Sequence, residues 1–215
     1  MTLYGIGLGP GEPELVTVRG KRLLEEASVV YAPGELAERL ARPYAAAIEE
    51  LEFPMTEDET TLKAAWDEAA ATVGPVARDE DVAFVTVGDP KVYSTFSHLE
   101  RALDAYPEVD IRTIPGVSVV TAFATALDVE IDNSPLDVRE AADGVPQHRP
   151  PQVLLLKVTD VRKTDAALHD AGYEVTYGRR LFMDDPTVRS DPDAVAESDY
   201  FTIAYAEQVG RGGES

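Results

Sequence analysis

The sequence of 215 residues contains no cysteine. That absence removes disulfides, thiolate metal sites and cysteine nucleophiles together. No stretch approaches the ~20 consecutive apolar residues a membrane-spanning helix needs, so no membrane partner is expected. The opening Met1-Thr2-Leu3-Tyr4-Gly5 has neither a basic region nor a small-residue cleavage pattern; no secretory signal is expected, and the expected compartment is the cytoplasm. Histidine is scarce. His98, His148 and His169 are too far apart for metal-ligand spacing and are expected as ordinary surface or core residues. The pair Asp184-Asp185, just before Pro186, is expected as a solvated loop, so no metal site is expected. Neither a G-x-S-x-G elbow nor a P-loop is present.

Bases are also few: 19 Lys+Arg stand against 40 Asp+Glu, a formal net charge of −21. Binding phosphates needs a basic face, so nucleic acid is not an expected partner. The acids are spread along the chain among apolar residues, which argues against a disordered acidic tail. No cluster points to a basic partner. A surface adapted to high salt accounts best for the charge, because at ~1 M salt the screening length is about 3 Å.

What is present is a globular pattern. Hydrophobic residues make up 44% of the chain, enough for full cores, and the length suits two compact α/β halves. Residues 3–8 read as a strand, 15–27 as a helix, 28–32 as a strand, and 35–41 and 57–72 as helices. Residues 82–87 form the most apolar strand, as expected for a central parallel strand covered on both faces. A helix at 95–105 and a strand at 109–114 follow. The second half reads as a helix at 118–127, a loop at 143–151, a strand at 153–158, a helix at 160–171, strands at 173–182 and 200–206, and a frayed tail at 210–215. This β-α-β alternation predicts an α/β fold of two domains, residues 1–114 and 115–215, each with a mostly parallel sheet flanked by helices.

Three strand-to-helix junctions could carry chemistry. In Tyr4-Gly5-Ile6-Gly7-Leu8-Gly9-Pro10-Gly11, alternating glycines permit close backbone approach to a ligand. A dinucleotide fingerprint, G-x-G-x-x-G, fails there: its sixth position is Pro10 or Glu12. In Val87-Gly88-Asp89-Pro90-Lys91-Val92-Tyr93-Ser94-Thr95, an acid follows the strongest strand at the edge where open α/β sheets bind ligands. An Asx-Pro turn, with Asp89 capping the next helix, accounts for it equally well. Ile114-Pro115-Gly116-Val117-Ser118 is a third junction, with Ser118 as a candidate N-cap.

Gly7-Leu8-Gly9-Pro10-Gly11, Gly88-Asp89-Pro90 and Pro115-Gly116-Val117-Ser118, in this order, resemble the tetrapyrrole methylase family of S-adenosylmethionine (SAM)-dependent enzymes. Residues 10–17 are similar to the family's first signature, with Glu12 where an Asp is usual. The resemblance implies two α/β domains with SAM between them, and commonly a homodimer. It implies SAM contacts at Pro10, Val87, Gly88, Asp89, Val92, Ser118 and Val119, and, by a looser match, Lys157 and Ala204. Gly88-Asp89-Pro90 followed by Tyr93-Ser94-Thr95 is most similar to the branch that methylates C20 of precorrin-2 or cobalt-factor II, where cobalt enters only as part of the substrate. Residues 182–198 follow no family pattern. The implied chemistry is direct methyl transfer from SAM, with positioning rather than a nucleophilic side chain at its centre. No catalytic residue is assigned; Tyr93 and Asp89 are candidate bases by location alone. A substrate with eight carboxylates needs a local basic rim, for which Arg19, Lys21, Arg22, Lys91 and Arg139 are candidates. Three other readings stay open: a methylase acting at another ring carbon, a non-catalytic SAM or nucleotide-binding module, and a nucleotide-dependent oxidoreductase.

Overall fold

The computed structural model describes residues 1–54, 58–131, 133–195 and 199–209. The chain divides into two compact units, Met1–Ser118 and Val119–Ser215. The Pro115–Ser118 turn therefore belongs with the first unit, whereas the expected boundary lies before it at Ile114.

The first unit is a five-stranded sheet, all parallel. Its strands are β1 (Thr2–Gly7), β2 (Val30–Ala32), β3 (Ile48–Glu50), β4 (Val82–Thr86) and β5 (Asp110–Ile114), in the order β3-β2-β4-β1-β5. The helices are α1 (Val18–Glu26), α2 (Glu35–Ala41), α3 (Glu59–Asp79) and α4 (Phe96–Ala102). Successive strand residues point to opposite faces, and the two cores divide accordingly. Leu3, Val82 and Phe84 join Trp66, Phe96 and Leu99 on one face. Ile6, Ala83 and Val85 join Leu24, Leu40 and Ile114 on the other. All five residues of β4 are buried, which is why that segment is a continuous apolar run. Helix starts are fixed locally: the Thr17 side chain accepts from the Gly20 amide, and Asp58 accepts from the Thr61 amide.

The second unit has a sheet in the order β6-β7-β10-β8-β9. Its strands are β6 (Leu136–Glu140), β7 (Gln152–Leu156), β8 (Tyr173–Arg179), β9 (Thr187–Arg189) and β10 (Thr202–Gln208); α5 (Val119–Leu127) and α6 (Val161–Asp170) pack on it. The α/β class holds, but the expected mostly parallel character of this second sheet does not. Only β6–β7 is parallel; β7–β10, β10–β8 and β8–β9 are antiparallel. The β7-α6-β8 crossover is present, as the alternation implied. The chain then returns, and β10 inserts between β7 and β8 in the opposite direction. An apolar run announces burial on both faces, not strand direction, so the sequence pattern does not distinguish the two cases.

Other differences are local. Helix α3 continues to Asp79 through Pro75, past the expected end at residue 72. Gly74 permits this packing, since a Cβ there would lie 2.6 Å from the Tyr106 ring. The short strands β3, β6 and β9 are not signalled by periodicity; each is an outer strand and none of their residues is fully buried. The expected helix start at residue 57 and the expected frayed tail at 210–215 lie outside the described residues.

Candidate functional site

Within the first unit, the three glycine-containing junctions follow the carboxyl ends of β1, β4 and β5, which are adjacent in the sheet. They touch one another through backbone. The Leu8 amide donates to the Thr86 carbonyl at 2.9 Å. Gly9 and Gly88 exchange both amide–carbonyl bonds, at 3.3 and 2.7 Å, as an isolated antiparallel bridge. A Cβ on Gly7 would sit 2.5 Å from the Gly88 carbonyl oxygen and 2.6 Å from the Gly116 amide nitrogen. A Cβ on Gly116 would sit 2.1 Å from that same Gly88 oxygen. The third junction thus closes on the first two only because both positions lack side chains.

Gly5 serves differently. A Cβ there would penetrate the Phe96 ring, at 2.3 Å from its Cζ atom. The first glycine of the loop admits a core aromatic.

Asp89 ties the junctions together. Its Oδ1 accepts from the Lys91 amide at 2.8 Å and its Oδ2 from the Gly116 amide at 3.1 Å. The first bond is the expected Asx turn. The helix-cap reading is corrected: α4 begins at Phe96, and the Asp89 carboxylate is spent on Lys91 and Gly116. The Phe96 amide instead donates to Ser94 Oγ at 3.2 Å, and Ser94 Oγ lies 3.1 Å from Thr86 Oγ1. Thr17, the cap of α1, reaches the same edge: its hydroxyl donates to the Pro115 carbonyl at 3.5 Å. Gly116, Thr17 and Ser94 lie within the sequence motifs, but no site role is legible for them there; the signal for Gly116 is its place in a Pro-Gly turn after a strand.

Pro10 is buried in the first turn, Val87, Gly88, Asp89 and Ser118 are partly exposed, and Val92 is exposed. Gly88 has φ +77°, and a Cβ built on it would meet nothing within 4 Å. One side of this turn is therefore bare backbone facing open space, which suits a small ligand laid against the chain. Tyr93 next to it has φ +49° and is exposed, a backbone state that costs non-glycine residues energy and clusters at functional sites.

The second unit carries the other expected positions. Val119 opens α5. Lys157 follows β7 with φ +57°; its ammonium pairs with Glu140 and lies 5.1 Å from the Tyr200 ring centre. Burial alone would lower the Lys157 pKa, but hydrogen bonds to Glu140 and Tyr200 outweigh it and hold the group above its ordinary value. Ala204 is fully buried in β10 between Leu155 and Tyr177.

Each histidine has its own neighbour. His98 stacks on Trp66 and lies 2.9 Å from an Arg101 nitrogen; burial, then the Arg101 charge, push its pKa down. His148 faces Asp137, and His169 faces Asp165. Among the described residues no group of three or more His, Cys, Asp or Glu could hold a metal ion, and no helix is long and apolar enough to cross a membrane. Asp184 and Asp185 are exposed ahead of β9.

A family model described as Tetrapyrrole (Corrin/Porphyrin) Methylases matches residues 2–185. The chain is 34% identical over 132 residues to the cobalt-precorrin-2 C(20)-methyltransferase of Salmonella typhimurium, covering 57% of this chain and 55% of that protein. It is 26% identical over 183 residues to the cobalt-precorrin-4 C(11)-methyltransferase of Methanocaldococcus jannaschii, covering 78% of this chain and 68% of that protein. The chain thus spans little more than half the length of the C(20) relative. Two solved structures share the fold: a cobalt precorrin-4 methyltransferase, with TM-score 0.76 and 23% identity over 96% of this chain and 94% of that one, and a Thermus thermophilus uroporphyrin-III C-methyltransferase complexed with S-adenosylhomocysteine, with TM-score 0.68 and 19% identity over 98% and 99%.

Proposed function

Because the chain belongs to the tetrapyrrole (corrin/porphyrin) methylases, we propose that it transfers a methyl group from SAM to C20 of precorrin-2 or cobalt-factor II in cobalamin biosynthesis. The observation that carries this reading is the edge where three strand-to-helix turns meet at Gly7, Gly88 and Gly116, with bare backbone on the open side of Gly88. A turn without side chains lets a compact organic cofactor approach the chain closely, and a cradle of backbone groups is specific without being charged. Pro10, Val87, Gly88, Asp89, Val92 and Ser118 are the residues of the first unit that would border SAM. The Thermus relative's complex with S-adenosylhomocysteine supports that choice of cofactor.

SAM supplies an activated sulfonium methyl group, so the chain need not furnish a nucleophile. What the chain does is hold geometry. Asp89 locks the second turn to itself and to the third. The Gly9–Gly88 bridge locks the first to the second. Rigid turns at one edge set where a cofactor's reactive carbon lies, and alignment of that kind contributes a large share of rate acceleration in two-substrate reactions. Asp89 is a positioning residue on this reading, since both carboxylate oxygens are engaged by backbone amides.

C20 is favoured over C11 by Tyr93-Ser94-Thr95 after the second turn, whereas identity does not separate the two, at 34% to the C(20) relative and 36% to a precorrin-4 C(11)-methyltransferase of Mycobacterium tuberculosis. The longer match to a C(11) enzyme is the specific observation behind the second reading, methylation at C11. The deciding experiment supplies methyl-labelled SAM with precorrin-2, cobalt-factor II or cobalt-precorrin-4, and locates the new methyl by NMR. Label at C20 of either of the first two is expected. Label only on cobalt-precorrin-4 establishes the C11 reading. SAM binding without transfer to any of the three refutes both and leaves a binding module. A homodimer in the cytoplasm is the proposed setting, and sedimentation of the purified chain tests the dimer.

A further inference from the structure

Five basic side chains are candidates for meeting the carboxylates of a tetrapyrrole, and the structure separates them. Lys21 and Arg22 face Glu25 and Glu26 one helical turn on, at 3.8 and 3.9 Å. Lys91 contacts both oxygens of Glu100, at 2.7 and 2.6 Å. Arg139 donates twice to Asp137, at 2.7 Å each. Arg19 alone of the five has no acidic partner among the described residues, in a chain where acids outnumber bases 40 to 19.

Its position is as informative as its freedom. Arg19 is the second residue of α1, directly after Val18. The cap residue Thr17 is bonded to the Pro115 carbonyl, which holds this end of the helix at the edge where the three turns meet. Gly20 faces inward against Ile6, 3.2 Å from where its Cβ would be, so the helix cannot roll to bury its neighbours. Neither exposed residue helps the fold locally. A cation in the first turn opposes the helix dipole, and Val18 leaves 88% of its surface in water. Choices that break local rules without a compensating contact are expected at functional positions.

We propose that Arg19 and Val18 form a substrate-recognition contact, in which the Arg19 guanidinium pairs with a peripheral carboxylate of the macrocycle and the Val18 side chain rests against its apolar ring. This rests on the tetrapyrrole reading above. A carboxylate-rimmed flat ring presents both chemistries within reach of two adjacent residues, and a guanidinium pairs with a carboxylate through two parallel hydrogen bonds.

The test compares wild type with Arg19→Ala and Arg19→Lys. Binding of precorrin-2 and cobalt-factor II is read by absorbance titration, and SAM binding by calorimetry. Arg19→Ala should weaken macrocycle binding on the order of tenfold while SAM affinity stays at the wild-type value and the urea midpoint does not fall. Arg19→Lys should recover part of the loss. With the macrocycle's carboxylates esterified, wild type and Arg19→Ala should bind alike, a result that a merely structural role would not produce. Equal binding of the free acid by wild type and Arg19→Ala overturns the inference alone, as does a loss that persists with the ester. Failure of the wild type to bind either macrocycle overturns the functional reading and this inference with it.

Discussion

Replacing Asp89 separates a structural clamp from a proton acceptor. Its carboxylate receives two backbone amides, from Lys91 in its own turn and from Gly116 in the third. A hydrogen bond to a charged group contributes about 1.5–3 kcal/mol net, and the half-buried setting favours the lower end. Asp89→Ala removes both and should cost about 3 kcal/mol on that basis. Asp89→Asn keeps one acceptor oxygen but turns an NH2 group toward the other amide, so about half that loss is expected. The Gly116 bond is the one that joins distant segments. Losing it should loosen the contact of the third turn on Gly7 and Gly88, and SAM affinity should fall with stability. Urea unfolding gives the first quantity, calorimetric titration with SAM the second, and turnover at saturating SAM the third. For a clamp, Asp89→Asn lowers the midpoint and the affinity while kcat changes little. The reasoning is refuted if Asp89→Asn unfolds at the wild-type midpoint and binds SAM normally but loses turnover, because a proton-transfer role would then be the only function left for the carboxylate.

Gly7→Ala would place a methyl group 2.5 Å from the Gly88 carbonyl oxygen; backbone cannot yield as a side chain does, so a loss of about 1–3 kcal/mol is expected in urea unfolding. Thr17→Ala removes the cap of α1 and should cost ~1 kcal/mol, readable in the same assay. The hydrogen bond from Arg139 holds the Asp137 carboxyl below its ordinary value of 3.8 despite burial, with the Arg139 and His148 charges adding to it. A depressed pKa means this stabilisation is complete above that ordinary value and is lost as pH falls through the folded one. The stability gap between wild type and Asp137→Asn should therefore shrink below pH 4; a gap unchanged at pH 3 contradicts the assignment. With a formal net charge of −21, self-repulsion destabilises the compact state until salt screens it, so the thermal midpoint should rise between about 0.1 and 1 M KCl as the screening length falls from about 10 to about 3 Å. A midpoint that falls over that range, or turnover that peaks at low salt, removes the high-salt account of the surface.

Much of the fold was legible because burial leaves a local trace. Val82–Thr86 reads as a central strand since both of its faces are covered. The carboxyl-end junctions were visible as glycine turns after apolar runs. The direction of β10 was not legible. Its alternation fits a parallel or an antiparallel neighbour equally, and only its insertion between β7 and β8 decides. Ala204 shows the same limit: its complete burial in β10 is a property of the packed sheet and not of any local pattern. The basic rim could be listed but not sorted, because each pairing depends on where a particular acid comes to lie; Lys91 and Glu100 meet across the turn and first helical residues that separate them.

The amino-acid sequence by itself determined which chemistries are absent, that the chain alternates strands and helices, and that three glycine turns follow three strands. Those are consequences of composition and of periodicities spanning a few residues. Tertiary structure alone decided that Gly7, Gly88 and Gly116 touch, that Gly5 makes room for Phe96, that Asp89 binds the Gly116 amide, and that Arg19 has no acidic partner among the described residues. The reason is distance along the chain: residues 7, 88 and 116 share no local pattern, and only the parallel order β4-β1-β5 brings their backbones within contact.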